Sequence, residues 1–131
     1  MDNLSLLYKT AGDLSAEQAR KRPDHTAFLF DGEALTWSAV DLLTDYIAAQ
    51  MQKCGIKKGT HVGFWSMNTL NLALYIIAVM KLGAIAAVIN YSYRTIELRN
   101  VLCRADIEIL YLGENKPGLD YLSMVEKVRG D

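Results

Sequence analysis

The chain has 131 residues, with 14 Lys and Arg against 15 Asp and Glu, so its formal net charge is −1. No surplus of basic charge exists to hold a nucleic-acid backbone or an anionic lipid surface, which sets those two partner classes aside. Hydrophobic residues are 51% and charged residues 22%, the mix of a globular domain, and this length fits one domain burying about two thirds of the surface its unfolded form exposes.

The opening residues, MDNLSLLYKTAGDL, carry acids early and no basic stretch before an apolar run. They do not read as a secretory signal, and the cytoplasm is the expected compartment. Leu4, Leu7, Leu14 and Ala19 form a loose apolar stripe that predicts helix over residues 3–22, broken near Gly12-Asp13. Ser15 with Gln18 reads as a capping box opening a second short helix, SAEQARKR, which Pro23-Asp24 ends. TAFLF, Asp31-Gly32 and ALTW then predict a hairpin. Ser38 is expected to cap an amphipathic helix running to about Lys53, with Val40, Leu43, Ile47, Ala48 and Met51 on one face and Gly55 as its stop.

His61 to Ser66 reads as a buried strand, and Asn68 as the cap of an apolar helix from Thr69 to Leu82. Ala84 to Ile89 predicts the next strand. Leu70 to Ile89 together are long enough to cross a bilayer. Asn71, Lys81 and Gly83 interrupt the run, however, and Lys in a last turn followed by Gly is a helix stop, so a buried helix and a buried strand are expected. Ser92 or Thr95 opens a helix to Arg104. Ile107 to Leu112 is a strand, and Asp120 to Arg129 a last helix. This strict alternation of helix and strand implies a parallel sheet with right-handed crossovers. The expected class is α/β: a partial doubly wound, mostly parallel sheet preceded by helices and a β-hairpin, one domain over residues 1–131 with no repeat, low-complexity tract or linker.

Such sheets bind ligands outside the carboxyl ends of their strands. Here those joints are Ser66-Met67-Asn68, Ile89-Asn90-Tyr91 and Gly113-Glu114-Asn115. None carries GxGxxG or GxxxxGK[ST], and Gly55, Gly59 and Gly63 flank a turn rather than form a phosphate loop. His25 and His61 have no evident carboxylate partner beyond Asp24, and no Ser/His/Asp or paired-carboxylate set can be assigned. Lys57-Lys58 reads as a solvated turn. Tyr93 and Arg94 could contact an anion; the plainer reading packs Tyr93 and pairs Arg94 with Glu97. Asn90 reads as a turn former. Cys54 and Cys103 lack a CxxC and are read as reduced, small apolar residues. No catalytic, cofactor-binding or metal-binding residue is assigned.

Five segments in order nevertheless form a pattern. RPDHTAF (22–28), LTWSAVDLL (35–43), CGIKKGTHVGF (54–64), SMNTLNLALYIIAVMKLGAIAAVIN (66–90) and YRTIELRNVLCRADIEILYL (93–112) resemble the N-terminal part of the AMP-forming acyl-CoA synthetases. These belong to the adenylate-forming superfamily, with luciferases and the adenylation domains of peptide synthetases. The departures are Thr60 for a usual Asp, and Met67 and Val88 for common prolines. INYSYRTIEL is closer to fatty-acyl and related carboxylate ligases than to peptide-synthetase domains. The resemblance implies a parent enzyme using ATP, Mg2+ and CoA: a carboxylate attacks the α-phosphate of ATP, and CoA thiol then displaces AMP. The family's phosphate loop, adenine-binding set, hinge and C-terminal lysine all lie beyond the matched part, so no family catalytic residue maps onto this chain. Its expected partner is the remainder of the synthetase, or another copy through an apolar face. The alternatives are a catalytically dead interaction module of the same fold, or an unrelated small nucleotide- or flavin-binding domain.

Overall fold

A computed structural model describes residues 9–130. The first element, α1 (Ala11–Lys21), is one unbroken helix. Its cap is Thr10, whose hydroxyl accepts from the Asp13 amide at 3.1 Å while the Asp13 carboxylate accepts from the Thr10 amide at 2.8 Å. Ser15 therefore does not cap a second helix. It lies buried within α1, and its Oγ has no partner among the described residues. Gly12, which read as a breaker, instead sits in the first turn for a packing reason. A Cβ there would lie 2.8 Å from Lys81 Cα, so only glycine lets this turn touch the helix that carries Lys81. Leu4 and Leu7 of the predicted stripe lie outside the described residues.

The hairpin forms as expected from β1 (Thr26–Phe30) and β2 (Glu33–Thr36). Asp31 and Gly32 both take positive φ, 49° and 81°, the handedness a two-residue turn needs to match strand twist. Next comes α2 (Trp37–Lys53). Its cap is Thr36, accepting from the Ala39 amide at 3.2 Å, while Ser38 is already inside the helix. The buried stripe is Val40, Thr44, Ala48 and Met51; Leu43 is 39% exposed. Thr44 tolerates full burial because its hydroxyl donates to the Val40 carbonyl at 2.7 Å.

Strand β3 (His61–Trp65), helix α3 (Leu70–Lys81) and strand β4 (Ile85–Ile89) form the expected βαβ unit. They are followed by α4 (Thr95–Arg104), β5 (Ile109–Leu112) and α5 (Tyr121–Arg129). The three strands make a parallel sheet in the order β4-β3-β5. The chain moves from β3 to β4 in one direction and then crosses back over β3 to β5. Right-handed crossovers therefore place α3 on one face and α4 on the other. The two cores follow that division, and β3 feeds both by strand alternation. Val62 and Phe64 join Ala48, Met51, Leu72 and Val79 on the α2/α3 face. Trp65 joins Ile89, Leu98, Tyr121 and Met124 on the α4/α5 face. Gly63 faces the same way as Trp65 and leaves room for Leu110 and Ile107. Cys54 and Cys103 are free thiols, and both are exposed. Among the described residues no helix is long and apolar enough to cross a membrane.

Candidate functional site

The loops after β3, β4 and β5 meet at the carboxyl end of the sheet, where a doubly wound fold places its ligands. In this molecule that end is laced together by its own groups. The Gly113 amide donates to the Trp65 carbonyl at 3.0 Å and the Met67 amide to the Glu114 carbonyl at 2.8 Å. Buried Ser66 closes the gap between these two bonds: its hydroxyl donates to the Met67 carbonyl at 2.7 Å and accepts from the Glu114 amide at 3.0 Å. The Ser66 side chain occupies the space where any larger residue at 113 would put its Cβ, 2.5 Å from Ser66 Cβ and closer still to Oγ. The crevice between β3 and β5 is thus filled by protein.

Tyr121 performs the equivalent task for the loop after β4. It is fully buried, stacked on Trp65 with ring centroids 3.9 Å apart. Its hydroxyl donates to the Tyr91 carbonyl at 2.7 Å and accepts from the Lys116 amide at 3.2 Å. The Trp65 indole donates to the Asn90 carbonyl at 3.1 Å. Lys116 reaches across to the Ser92 hydroxyl at 2.9 Å, its ammonium 5.6 Å from the Tyr91 ring centroid. Every loop at this end is therefore bonded to another.

The residues singled out from sequence fall as follows. Asn68 is exposed and is not the cap of α3; Thr69 is, accepting from the Leu72 amide at 3.1 Å. Asn90 is the turn former, its side-chain oxygen accepting from the Ser92 amide at 2.9 Å. Tyr93 packs against the α4/α5 core. Arg94 does meet Glu97, but through its backbone: the Arg94 amide donates to the Glu97 carboxylate at 3.1 Å, which caps α4. His61 is half-buried at the start of β3, with Nδ1 2.7 Å from the Ala105 carbonyl, a satisfied ring far along the strand from the carboxyl end. His25 is exposed beside the hairpin. The exposed Lys57-Lys58 pair forms the turn before β3, where the Lys57 amide donates to Thr60 Oγ1 at 3.1 Å. The structure brings none of these together as a reactive set. Sequence reading placed Ser66 at a strand joint without giving it a role, and missed Lys116 and Tyr121. A Tyr one residue into a helix looks like any aromatic, and only the folded chain brings it to Trp65.

Of the groups whose protonation the fold shifts, only Tyr111 borders this end, its ring 3.0 Å from where a Cβ on Gly113 would sit. Hydrogen bonds from Thr10 hold the Asp13 carboxyl below its usual range. Burial pushes the Tyr111 phenol up, helped by nearby Tyr75. Lys81 ties α3 to α2 through charge: its ammonium lies 2.6 Å from an Asp41 carboxylate oxygen and 2.7 Å from one of Asp45. Among the described residues no group of three or more His, Cys, Asp or Glu side chains is placed to hold a metal ion.

The architecture and its closed carboxyl end can be set beside known proteins. The model of the AMP-binding enzyme family matches residues 15–130. The chain belongs to that family. Among curated relatives, 3-oxocholest-4-en-26-oate–CoA ligase of Rhodococcus rhodochrous is 30% identical over 67% of this chain and 16% of its own length. Bacitracin synthase 3 of Bacillus licheniformis is 28% identical over 78% of this chain and 2% of its own. Among solved structures, the anthranilate CoA ligase AuaEII, in complex with anthranoyl-AMP, superposes with a TM-score of 0.80 at 22% identity, over 95% of this chain and 23% of that one. A fatty acyl CoA synthetase of Mycobacterium tuberculosis gives 0.82 at 19%, over 93% and 24%. The fold is therefore that of the N-terminal part of these family members. An acyl-CoA synthetase-type protein of Bacillus subtilis, YngI, matches over 94% of this chain and 23% of its own length, so the chain spans about a quarter of that relative.

Proposed function

We propose that this chain is the N-terminal subdomain, residues 1–131, of a larger ATP-dependent, AMP-forming carboxylate–CoA ligase. The observation that carries the reading is the pairing of a family match over residues 15–130 with coverage of only 23% of a relative such as YngI. The geometry agrees with it. The place where an α/β sheet holds a nucleotide is filled here by Ser66 against Gly113 and by Tyr121. In this reading the described residues hold none of the phosphates, and no step of the reaction is routed through them. ATP, Mg2+ and CoA belong to the rest of the ligase in this reading. In it, carboxylate oxygen displaces pyrophosphate from the α-phosphate of ATP, and CoA sulfur then displaces AMP from the acyl carbon.

The part played by this chain is scaffolding: it presents a rigid three-strand sheet on which the rest of the ligase builds. Its partner is that remainder, and its compartment the cytoplasm. The carboxylate is left open, because relatives at 27% to 31% identity include both CoA ligases and peptide synthetases. The test is pyrophosphate release from ATP on adding a panel of carboxylates. The 131-residue chain alone is expected to give none, and the chain extended by the sequence that follows it in its gene is expected to give release and a CoA thioester. Carboxylate-dependent release by the 131 residues alone would overturn the scaffolding role.

A further inference from the structure

Strand β4 is an end strand of the sheet, with β3 on one side and no strand on the other among the described residues. The Ile85 amide donates to the Thr60 carbonyl at 2.8 Å, so Ile85, Ala87 and Ile89 turn their backbone groups towards β3. Alternation turns the N–H and C=O of Ala86 and Val88 the other way, to the free edge. An edge strand is normally blunted by a charge, a proline or a bulge. IAAVI has none of these: its residues are uncharged and pair with β3 in unbroken register. Val88 also stands where the family resembled above commonly has proline, which has no N–H to offer an incoming strand. Two side chains of this strand are left to solvent, Val88 at 63% and Ile85 at 46%. They lie on opposite faces of the sheet, Val88 with Ala86 on the α2/α3 side and Ile85 with Ile89 on the α4/α5 side. Helix α4 carried the chain from β4 past β3 to β5, and a right-handed connection leaving β5 over the same face runs on, away from β4.

We propose that β4 is a self-association edge: two copies of this chain pair their β4 strands antiparallel about a two-fold axis at Ala87, joining the two sheets into one. The strand is its own complement in that register. Ala86 of one copy faces Val88 of the other, and each such pair exchanges both of its outward-facing hydrogen bonds. The small Ala86 side chain leaves room for the exposed Val88, exposed Ile85 lies beside Ile89, and Ala87 meets Ala87 at the axis, where antiparallel strands come closest. A second copy therefore satisfies the edge and covers both exposed side chains at once, as an isologous contact requires. The pairing uses only residues of this chain and stands apart from the ligase reading.

The experiment is sedimentation equilibrium on the 131-residue chain, with residue-resolved amide hydrogen exchange at low and high protein concentration. The mass is expected to rise from monomer to dimer at concentrations up to roughly 1 mM. In the dimer the Ala86 and Val88 amides should exchange at least roughly tenfold more slowly, while those of Ile85, Ala87 and Ile89, already turned towards β3, change far less. Val88→Pro removes one edge N–H from each copy and is expected to weaken the dimer roughly 30-fold, whereas Val88→Thr keeps that N–H and the dimer. Val88→Lys, at a side chain that solvent already reaches, sets a charge beside Ala86 of the other copy and is expected to weaken it too, so the edge stays testable if the proline variant fails to fold. A monomer at every concentration, a dimer that both Val88→Pro and Val88→Lys leave intact, or protection gained at β5 rather than at Ala86 and Val88 would overturn the proposal.

Discussion

Two polar fasteners among the described residues work by different physics. One sits at the carboxyl end of the sheet, where Ser66, Gly113, Trp65 and Tyr121 join three loops through neutral hydrogen bonds and tight steric fit. The other lies where α1, α2 and α3 meet, and it is ionic: Lys81 bonds Asp41 and Asp45 while its stem packs against Gly12. The first joins uncharged groups and leaves no room for a methyl at residue 113. The second has charge, partial water access and a pH dependence. A neutral fastener fails by overpacking, an ionic one by loss of a proton.

The largest effect is expected at the neutral fastener. Gly113→Ala puts a methyl into the Ser66 side chain. Such overpacking costs about 1–3 kcal/mol, because Ser66 is itself held by two hydrogen bonds and cannot give way freely. Urea midpoints measure this. Ser66→Gly removes the obstructing atoms, so the double variant is expected to recover part of the Gly113→Ala loss, with a coupling energy of at least about 0.5 kcal/mol. Strictly additive losses would mean that the two residues do not compete for the same space.

The ionic fastener is expected to cost less and to depend on pH. Burial alone would lower the Lys81 pKa, but hydrogen bonds to Asp41 and Asp45 and their charges outweigh it, and the value stands above the ordinary 10.5. A raised folded-state pKa means that the ammonium adds stability fully below 10.5, and that this contribution fades as pH rises through the folded value. Lys81→Met keeps the stem against Gly12 and removes the charge. With Asp45 largely exposed, the loss at pH 7 is about 1–2 kcal/mol. The gap between wild type and variant should then narrow above pH 10.5 and not before. A gap independent of pH from about 7 to about 11.5 would show that the ammonium charge is not what the lysine supplies.

This contrast also marks what the sequence could reveal. The α/β alternation, the hairpin at Asp31-Gly32 and the stop at Gly55 were legible because each depends on residues a few positions apart: hydrophobic period, turn chemistry, a positive φ of 91°. The family pattern was legible for the same reason, as short segments in order. The fasteners were not. Ser66 meets Gly113 from 47 positions away, Tyr121 meets Tyr91 across 30, and Lys81 meets Asp41 across 40. Gly12 misled because glycine within a helical stretch usually marks a break, and its use here, close approach to Lys81, exists only in the folded chain.

The smallest effect separates two neighbouring residues. Asn68 and Thr69 are both good caps by residue type, so their identity alone could not tell which one begins α3. Backbone geometry does: Thr69 has φ −135° and ψ 159°, the extended conformation of a cap, and its hydroxyl faces the Leu72 amide at 3.1 Å. Asn68, one residue earlier and exposed, is set outside the helix. Thr69→Ala should therefore lower stability by about 1 kcal/mol, while Asn68→Ala should change it by less than about 0.5 kcal/mol. The comparison reaches back to the neutral fastener, since Thr69 stands in the same short loop as Ser66 and Met67. If the cap and the fastener act independently, combining Thr69→Ala with Gly113→Ala gives the sum of the two losses. A combined loss well below that sum would mean that the start of α3 is already loosened once Ser66 is displaced, making the capped turn and the closed carboxyl end one cooperative unit.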